Sequence, residues 1–234
     1  MANKQNHGAD VNEALVKSEA FVTKNKKPLL IIIIALLVII GGAFAYKGLI
    51  ESPRNEKAST LLGKGQEYFN QEQFDIALNG DKIGYIGFLQ IANEYSSTDA
   101  GNLAKLYAGL CYANLGKWQD AKDYLEKYST SDDAMVSPAA TAALGDAYAH
   151  LNQLDDAIDC FKKAAKMADS QAEDGANNSL SPTFMLKAGK ILESQGKNSD
   201  ALEIYQDIKK KYVNSALVGN NEIDKYIERA TLNQ

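Results

Sequence analysis

The residues that could carry chemistry are few and scattered. The chain has two histidines, His7 and His150, and two cysteines, Cys111 and Cys160. Imidazole and thiolate hold a metal when several stand close together at helical or C-x-x-C spacings. None of these four has such a neighbour. Asp155, Asp156 and Asp159 could pair as acid and base, but they follow one solvated helical surface. There is no glycine loop to cradle a phosphate, no G-x-S-x-G turn and no H-E-x-x-H helix. No catalytic residue, metal or cofactor is expected. Two cysteines are too few for a disulfide framework. Both fall inside helical patterns and are read as small buried hydrophobes.

Beyond Pro53 the pattern is helix after helix, with no strand alternation of useful length. Within it four pieces align: "GQEYFNQEQFDIA" from Gly65, "GLCYANLGKWQDA" from Gly109, "GDAYAHLNQLDDA" from Gly145 and "GKILESQGKNSDA" from Gly189. Each starts with Gly and ends with Ala, at Ala77, Ala121, Ala157 and Ala201. Tyr68, Tyr112 and Tyr148 recur three residues after the Gly, with Leu192 in the fourth unit. Gly116, Asn152 and Gly196 recur seven after it and mark a turn. A small residue at the start and an aromatic one turn on are what two closely packed helices need.

These units resemble tetratricopeptide repeats, helix pairs of about 34 residues. The resemblance implies an all-α fold, a solenoid of about four helix pairs; Asn221–Leu232, with Ile223 and Ile227 four apart and then Ala230, reads as its C-terminal capping helix, and a single N-terminal transmembrane helix precedes the repeats. In it the Gly lets helices A and B approach, the Tyr fills the space between them and the Ala opens helix B. The observed Gly-to-Gly spacings are 44, 36 and 44. About seven residues are inserted around Gly80–Gly87, as a break in helix B or a site of close packing. "DSQAEDGANNSLSP" (169–182) reads as a loop, either a mobile linker, the favoured reading, or a binding loop.

The resemblance further implies a concave groove lined by helix A. In unit one the lining positions are Leu62, Gln66, Phe69 and Asn70, and in unit two Leu103, Leu106, Leu110 and Asn114. Unit three offers Ala142, Asp146 and His150, and unit four Leu186, Lys190, Glu193 and Ser194. The first half is apolar and the second polar, as a groove for a protein segment would be. The same leucines could instead pack against the unit-one insert. Relatives that clamp a C-terminal carboxylate use Lys and Asn where Leu62 and Gln66 stand, so that activity is not implied.

Leu29–Tyr46 is an uncharged run of 18 residues, near the roughly 20 needed to cross a hydrocarbon core. Pro28 suits a helix start, the apolar run passes through Ile40 and Tyr46 suits an interface. Ala43-Phe44-Ala45 has the form of a signal-peptide cleavage site. However, 27 residues precede Pro28, far more than a usual n-region. The segment is therefore read as a retained anchor. Lys24, Lys26 and Lys27 against Lys47 favour a cytoplasmic tail. In that tail Asp10 and Glu13 form a capping pattern, which opens either an amphipathic helix or a frayed end. From Glu51 onward 19 basic residues face 27 acidic ones, a net of -8. That balance argues against nucleic acid as a partner.

The layout divides into a cytoplasmic tail (1–27), a span (28–47), a juxtamembrane linker (48–57) and a repeat domain (58–234). With "VKSEAFVTKNKKPLL" leading into the span, it resembles the YfgM-type proteins of the bacterial inner membrane. That resemblance implies a periplasmic repeat domain and a non-catalytic accessory role at the SecYEG translocon. The implied partners are the translocon, a membrane-anchored periplasmic chaperone of the peptidyl-prolyl isomerase kind, emerging secretory or membrane proteins, and membrane lipid. A cleaved, exported adaptor and a regulator of opposite topology are the alternatives.

Overall fold

The structure, a computed structural model, describes residues 23–233. His7, the Asp10–Glu13 cap and the tail helix lie outside them. The chain divides into two compact units at Arg54–Asn55.

The first unit contains α1 (Lys26–Tyr46). Its run of Ile and Leu is long and apolar enough to cross a membrane. Pro28 lies in the first turn, where its missing N–H costs nothing. Ile31, Val38 and Ile39 are exposed, as is Ile40. Leu29 and Tyr46 lie on the α1 backbone. Residues 48–57, expected as a linker, are helical: a π-helical turn at Lys47–Glu51 leads into α2 (Ser52–Asn70).

The second unit is all helical; no strand occurs among the described residues. Unit one of the repeat pairs α2 with α3 (Phe74–Asn79) and α4 (Phe88–Glu94). Unit two is α5 (Asp99–Asn114) and α6 (Trp118–Glu126). Unit three is α7 (Val136–His150) and α8 (Leu154–Ser170), and unit four is α9 (Ser181–Ser194) and α10 (Asn198–Lys211). A short α11 (Ala216–Gly219) precedes α12 (Glu222–Leu232), which packs on α10.

The recurring residues do the same work in each unit. Ala77, Ala121, Ala157 and Ala201 are all fully buried. A Cβ on Gly65 would come within 2.4 Å of Phe88, one on Gly109 within 2.6 Å of Leu125, one on Gly145 within 3.1 Å of Phe161 and one on Gly189 within 2.3 Å of Tyr205. Each of the last three partners stands four residues after its unit's Ala. Phe88 stands eleven after Ala77, so the insert is seven residues long. The turn residue is left-handed in all four units: Glu72 (φ 59°), Gly116 (71°), Asn152 (59°) and Gly196 (74°). In each, the next residue's N–H closes the helix end on the carbonyl five residues back, at 2.9 Å on Tyr68, Tyr112, Tyr148 and Leu192. This is the Schellman closure, which satisfies a carbonyl the helix would otherwise leave open.

The insert breaks helix B and is also a site of close packing. A Cβ on Gly87 would meet the Leu78 carbonyl oxygen at 2.3 Å, so only glycine fits where the chain returns. The Asp81 carboxylate accepts the N–H groups of Ile83 (2.9 Å) and Tyr85 (2.8 Å) and the Tyr68 hydroxyl (2.9 Å). Those backbone N–H groups, with the Tyr68 hydroxyl, hold the Asp81 carboxyl below its usual pKa. Tyr85 is buried and donates to the Ala77 carbonyl at 2.6 Å.

The 169–182 stretch is pinned rather than free. Asp169 Oδ1 accepts from the Asn177 N–H (2.9 Å) and the Ser181 hydroxyl (2.6 Å). Its Oδ2 accepts from Lys211 (2.6 Å) and the Tyr212 hydroxyl (2.8 Å). One buried carboxylate thus ties the end of α8, the loop, the start of α9 and the end of α10. The capping helix forms as expected, with Ile223 and Ala230 fully buried.

Candidate functional site

The candidate groove is the face that α2, α5, α7 and α9 present. Leu62 and Leu106 are 7% and 6% exposed and belong to the core. Leu62 packs in the cluster around Ala58, Phe88 and Ala104, and Leu106 in the one around Ala121, Leu125 and Ala147. Both are corrected from groove to core. Ala142 is also buried, packed with Ile158 and Phe161. The departure has a physical cause: Leu62 faces the unit-one core, and Leu106 faces helix B of its own unit and the next helix A.

Leu103 and Leu110 remain half-buried. Leu103 touches the cores of units one and two, and Leu110 touches the second alone. Phe69 sets its ring edge-on to Phe74 and Tyr107, with centroids 5.5 and 5.3 Å away. Gln66 donates to the Tyr107 hydroxyl at 3.0 Å. These contacts join α2 to α5 and leave a partly apolar surface. Asn70 and Asn114 are exposed; the Asn114 amide donates to the Leu110 carbonyl at 2.8 Å, capping its own helix.

The second half is polar and largely self-paired. Asp146 meets Lys187 at 2.7 Å, joining α7 to α9. The same ammonium sits 5.3 Å from the Phe161 ring centre. His150 stacks on Trp118 at 3.6 Å with planes 3° apart. Lys190 is exposed and Leu186 half-buried, while the Ser194 hydroxyl turns back to the Ile191 carbonyl. Glu193 is taken by the cap: Arg229 contacts it at 2.6 Å and the Tyr205 hydroxyl donates to it at 2.7 Å. Arg229 accordingly holds the Glu193 carboxyl below its usual range. Tyr107, Lys187 and Arg229 were not anticipated. Tyr107 stands one turn after Leu103, a spacing that could have found it.

Of the two cysteines expected to be buried, Cys160 is only half-buried. Cys111 is buried, and burial pushes its thiol up to about 12. Burial likewise pushes the Cys160 thiol up to about 11. Among the described residues no group of three His, Cys, Asp or Glu stands close enough to hold a metal ion.

Comparison with known proteins agrees with this geometry. A family model described as tetratricopeptide repeat matches residues 108–173 and 143–215. Two crystal structures of a putative kinesin light chain with nearly identical TPR-like repeats, from Podosopora anserina, share the fold. One of the two carries a single substitution. Each is 11% identical, with a TM-score of 0.52 over 77% of this chain; the match covers 95% of the substituted chain and 96% of the other. No curated protein sequence matches the chain. The fold is therefore all-helical and solenoid-like, and its tetratricopeptide repeats indicate a scaffold for protein–protein interaction. Residues 108–215 are such repeats, and no enzyme family is indicated.

Proposed function

We propose that this chain is a membrane-anchored repeat scaffold serving as an accessory subunit of the Sec translocon, as its resemblance to the YfgM-type proteins implies. One observation carries the reading: a helix able to cross a membrane, Lys26–Tyr46, precedes a repeat domain that keeps apolar helix A surface at Phe69, Leu103 and Leu110. A solenoid held at the membrane meets chains as they emerge. The partners are the SecYEG channel, a membrane-anchored periplasmic chaperone and emerging clients. The span and flanking lysines contact lipid. Residues 1–27 lie in the cytoplasm and 58–234 in the periplasm.

The groove residues in this reading are Gln66, Phe69, Asn70, Leu103, Leu110, Asn114, Asp146, His150 and Lys190. Leu62, Leu106 and Glu193 support them from the core and the cap. Topology is tested by protease added to spheroplasts, with the mass of the membrane-bound chain measured in parallel. The reading expects a digested repeat domain and an intact N-terminus. A protected domain, or a mature chain starting at Tyr46, would refute it.

A further inference from the structure

A second candidate site lies away from the helix A groove residues. A cleft of 690 Å³ opens between α8 and α10, the second helices of units three and four. Its walls carry Lys162 and Lys166 from α8, one turn apart, and Lys210 from α10, with one carboxylate, Asp207, beside them. Its floor is Ala165, Met185 of α9 and Tyr212. Lys211, also at the wall, is neutralised by Asp169. Lys162, Lys166 and Lys210 are exposed and make no ion pair among the described residues.

With four lysines against two carboxylates, Asp169 and Asp207, the cleft is net basic, which stands out because the chain from Glu51 onward carries a net charge of -8. Carboxylates brought into the cleft would lower the mutual repulsion of three ammonium groups, and more so at low salt. The patch is also bounded. An adjoining cleft of 250 Å³ shares Lys162, Met185 and Asp207, but its far wall is Asp200 and Glu203. The sign of the surface reverses within two turns of α10. A broad anionic membrane would meet both signs at once. A short protein segment meets only the basic end.

We propose that this cleft binds a short acidic segment of a partner protein. One apolar side chain rests on Met185, and neighbouring carboxylates reach Lys162, Lys166 and Lys210. Apart from Met185 on α9, the site lies on the second helices of units three and four, and it shares no residue with the helix A groove.

The test uses the full chain in uncharged detergent and a labelled Asp-Leu-Glu-Leu-Glu peptide, followed by fluorescence anisotropy. Binding is expected to weaken as salt rises. Lys162→Glu combined with Lys166→Glu is expected to lower affinity about ten-fold or more. Met185→Ala weakens it too, and Lys64→Glu, at an exposed position of α2 outside both sites, leaves it unchanged. All three lysines are solvent-exposed, and circular dichroism confirms that the variants fold. The proposal is overturned if charge reversal leaves affinity unchanged, or if a Gln-for-Glu, Asn-for-Asp peptide binds as well. It is equally overturned if these lysines bind phosphatidylglycerol-containing vesicles but not the peptide, which would assign the face to lipid.

Discussion

Asp169→Asn removes one charge from the node that fixes the last repeat. The wild-type carboxylate accepts from Asn177, Ser181, Lys211 and Tyr212. Asparagine keeps one acceptor oxygen for the Asn177 N–H and the Ser181 hydroxyl. Its amide NH2 then faces the Lys211 ammonium and the Tyr212 hydroxyl, donor against donor. A hydrogen bond to a charged group contributes roughly 1.5–3 kcal/mol. The Lys211 side chain is 48% exposed and recovers water, and the Tyr212 hydroxyl can turn to accept. The net loss is therefore about 2 kcal/mol, with about 3–4 for Asp169→Ala. Urea unfolding of the full chain in uncharged detergent, followed by helical circular dichroism, should show the midpoint of Asp169→Asn fall by roughly 1 M. Acid supplies an internal check. Burial by itself raises the Asp169 pKa, but Lys211, Ser181, the Asn177 N–H and Tyr212 lower it further, so the folded value lies below the usual one. Stability from such a group is complete above its unfolded pKa, near 3.9, and is lost as pH falls through the folded pKa. The gap between wild type and Asp169→Asn should hold at neutral pH and close below about pH 4. A variant within about 0.5 kcal/mol of wild type at neutral pH, or a gap unchanged in acid, would refute the reasoning.

Three further outcomes are expected. Gly189→Ala places a Cβ 2.3 Å from the Tyr205 ring, which is fully buried and held by Glu193; it should destabilise by about 2 kcal/mol. Gly63→Ala meets nothing within 4 Å in α2 and should stabilise by up to about 1 kcal/mol; equal effects from the two would contradict the helix A–helix B contact. Burial holds the Cys111 and Cys160 thiols at about 12 and 11. Iodoacetamide at neutral pH should therefore leave both unmodified in the folded chain and label both in urea, and rapid labelling of the folded chain would contradict their packing.

The fold was legible because each unit states its own geometry locally. Gly, Tyr, turn and Ala fall within thirteen residues, so their recurrence marks every helix pair. The length of the unit-one insert was legible too, since Phe88 sits where Leu125, Phe161 and Tyr205 sit once seven residues are removed. Glu72 was missed as a turn residue because its side chain gives no sign of a left-handed backbone. The groove was only partly legible. Position numbers taken from a regular repeat placed Leu62 and Leu106 on the open face, but Leu62 packs in the unit-one core and Leu106 packs between helix B of unit two and the next helix A. Glu193 was misjudged because its partner, Arg229, comes from the capping helix 36 residues away. The 169–182 stretch looked mobile from its composition; the Asp169 carboxylate that orders it draws on Lys211 and Tyr212, 42 and 43 residues further on.

The central claim is that the helix A face holds a protein partner at the membrane. Photocrosslinking residues at Phe69, Leu103 and Lys190, introduced one at a time into the full chain in native bacterial membranes, test it directly. The account predicts adducts with the SecYEG channel or a membrane-anchored periplasmic chaperone, strongest from Leu103 and absent from a control at Lys163 on α8. Adducts only with lipid or with a second copy of the chain would contradict it.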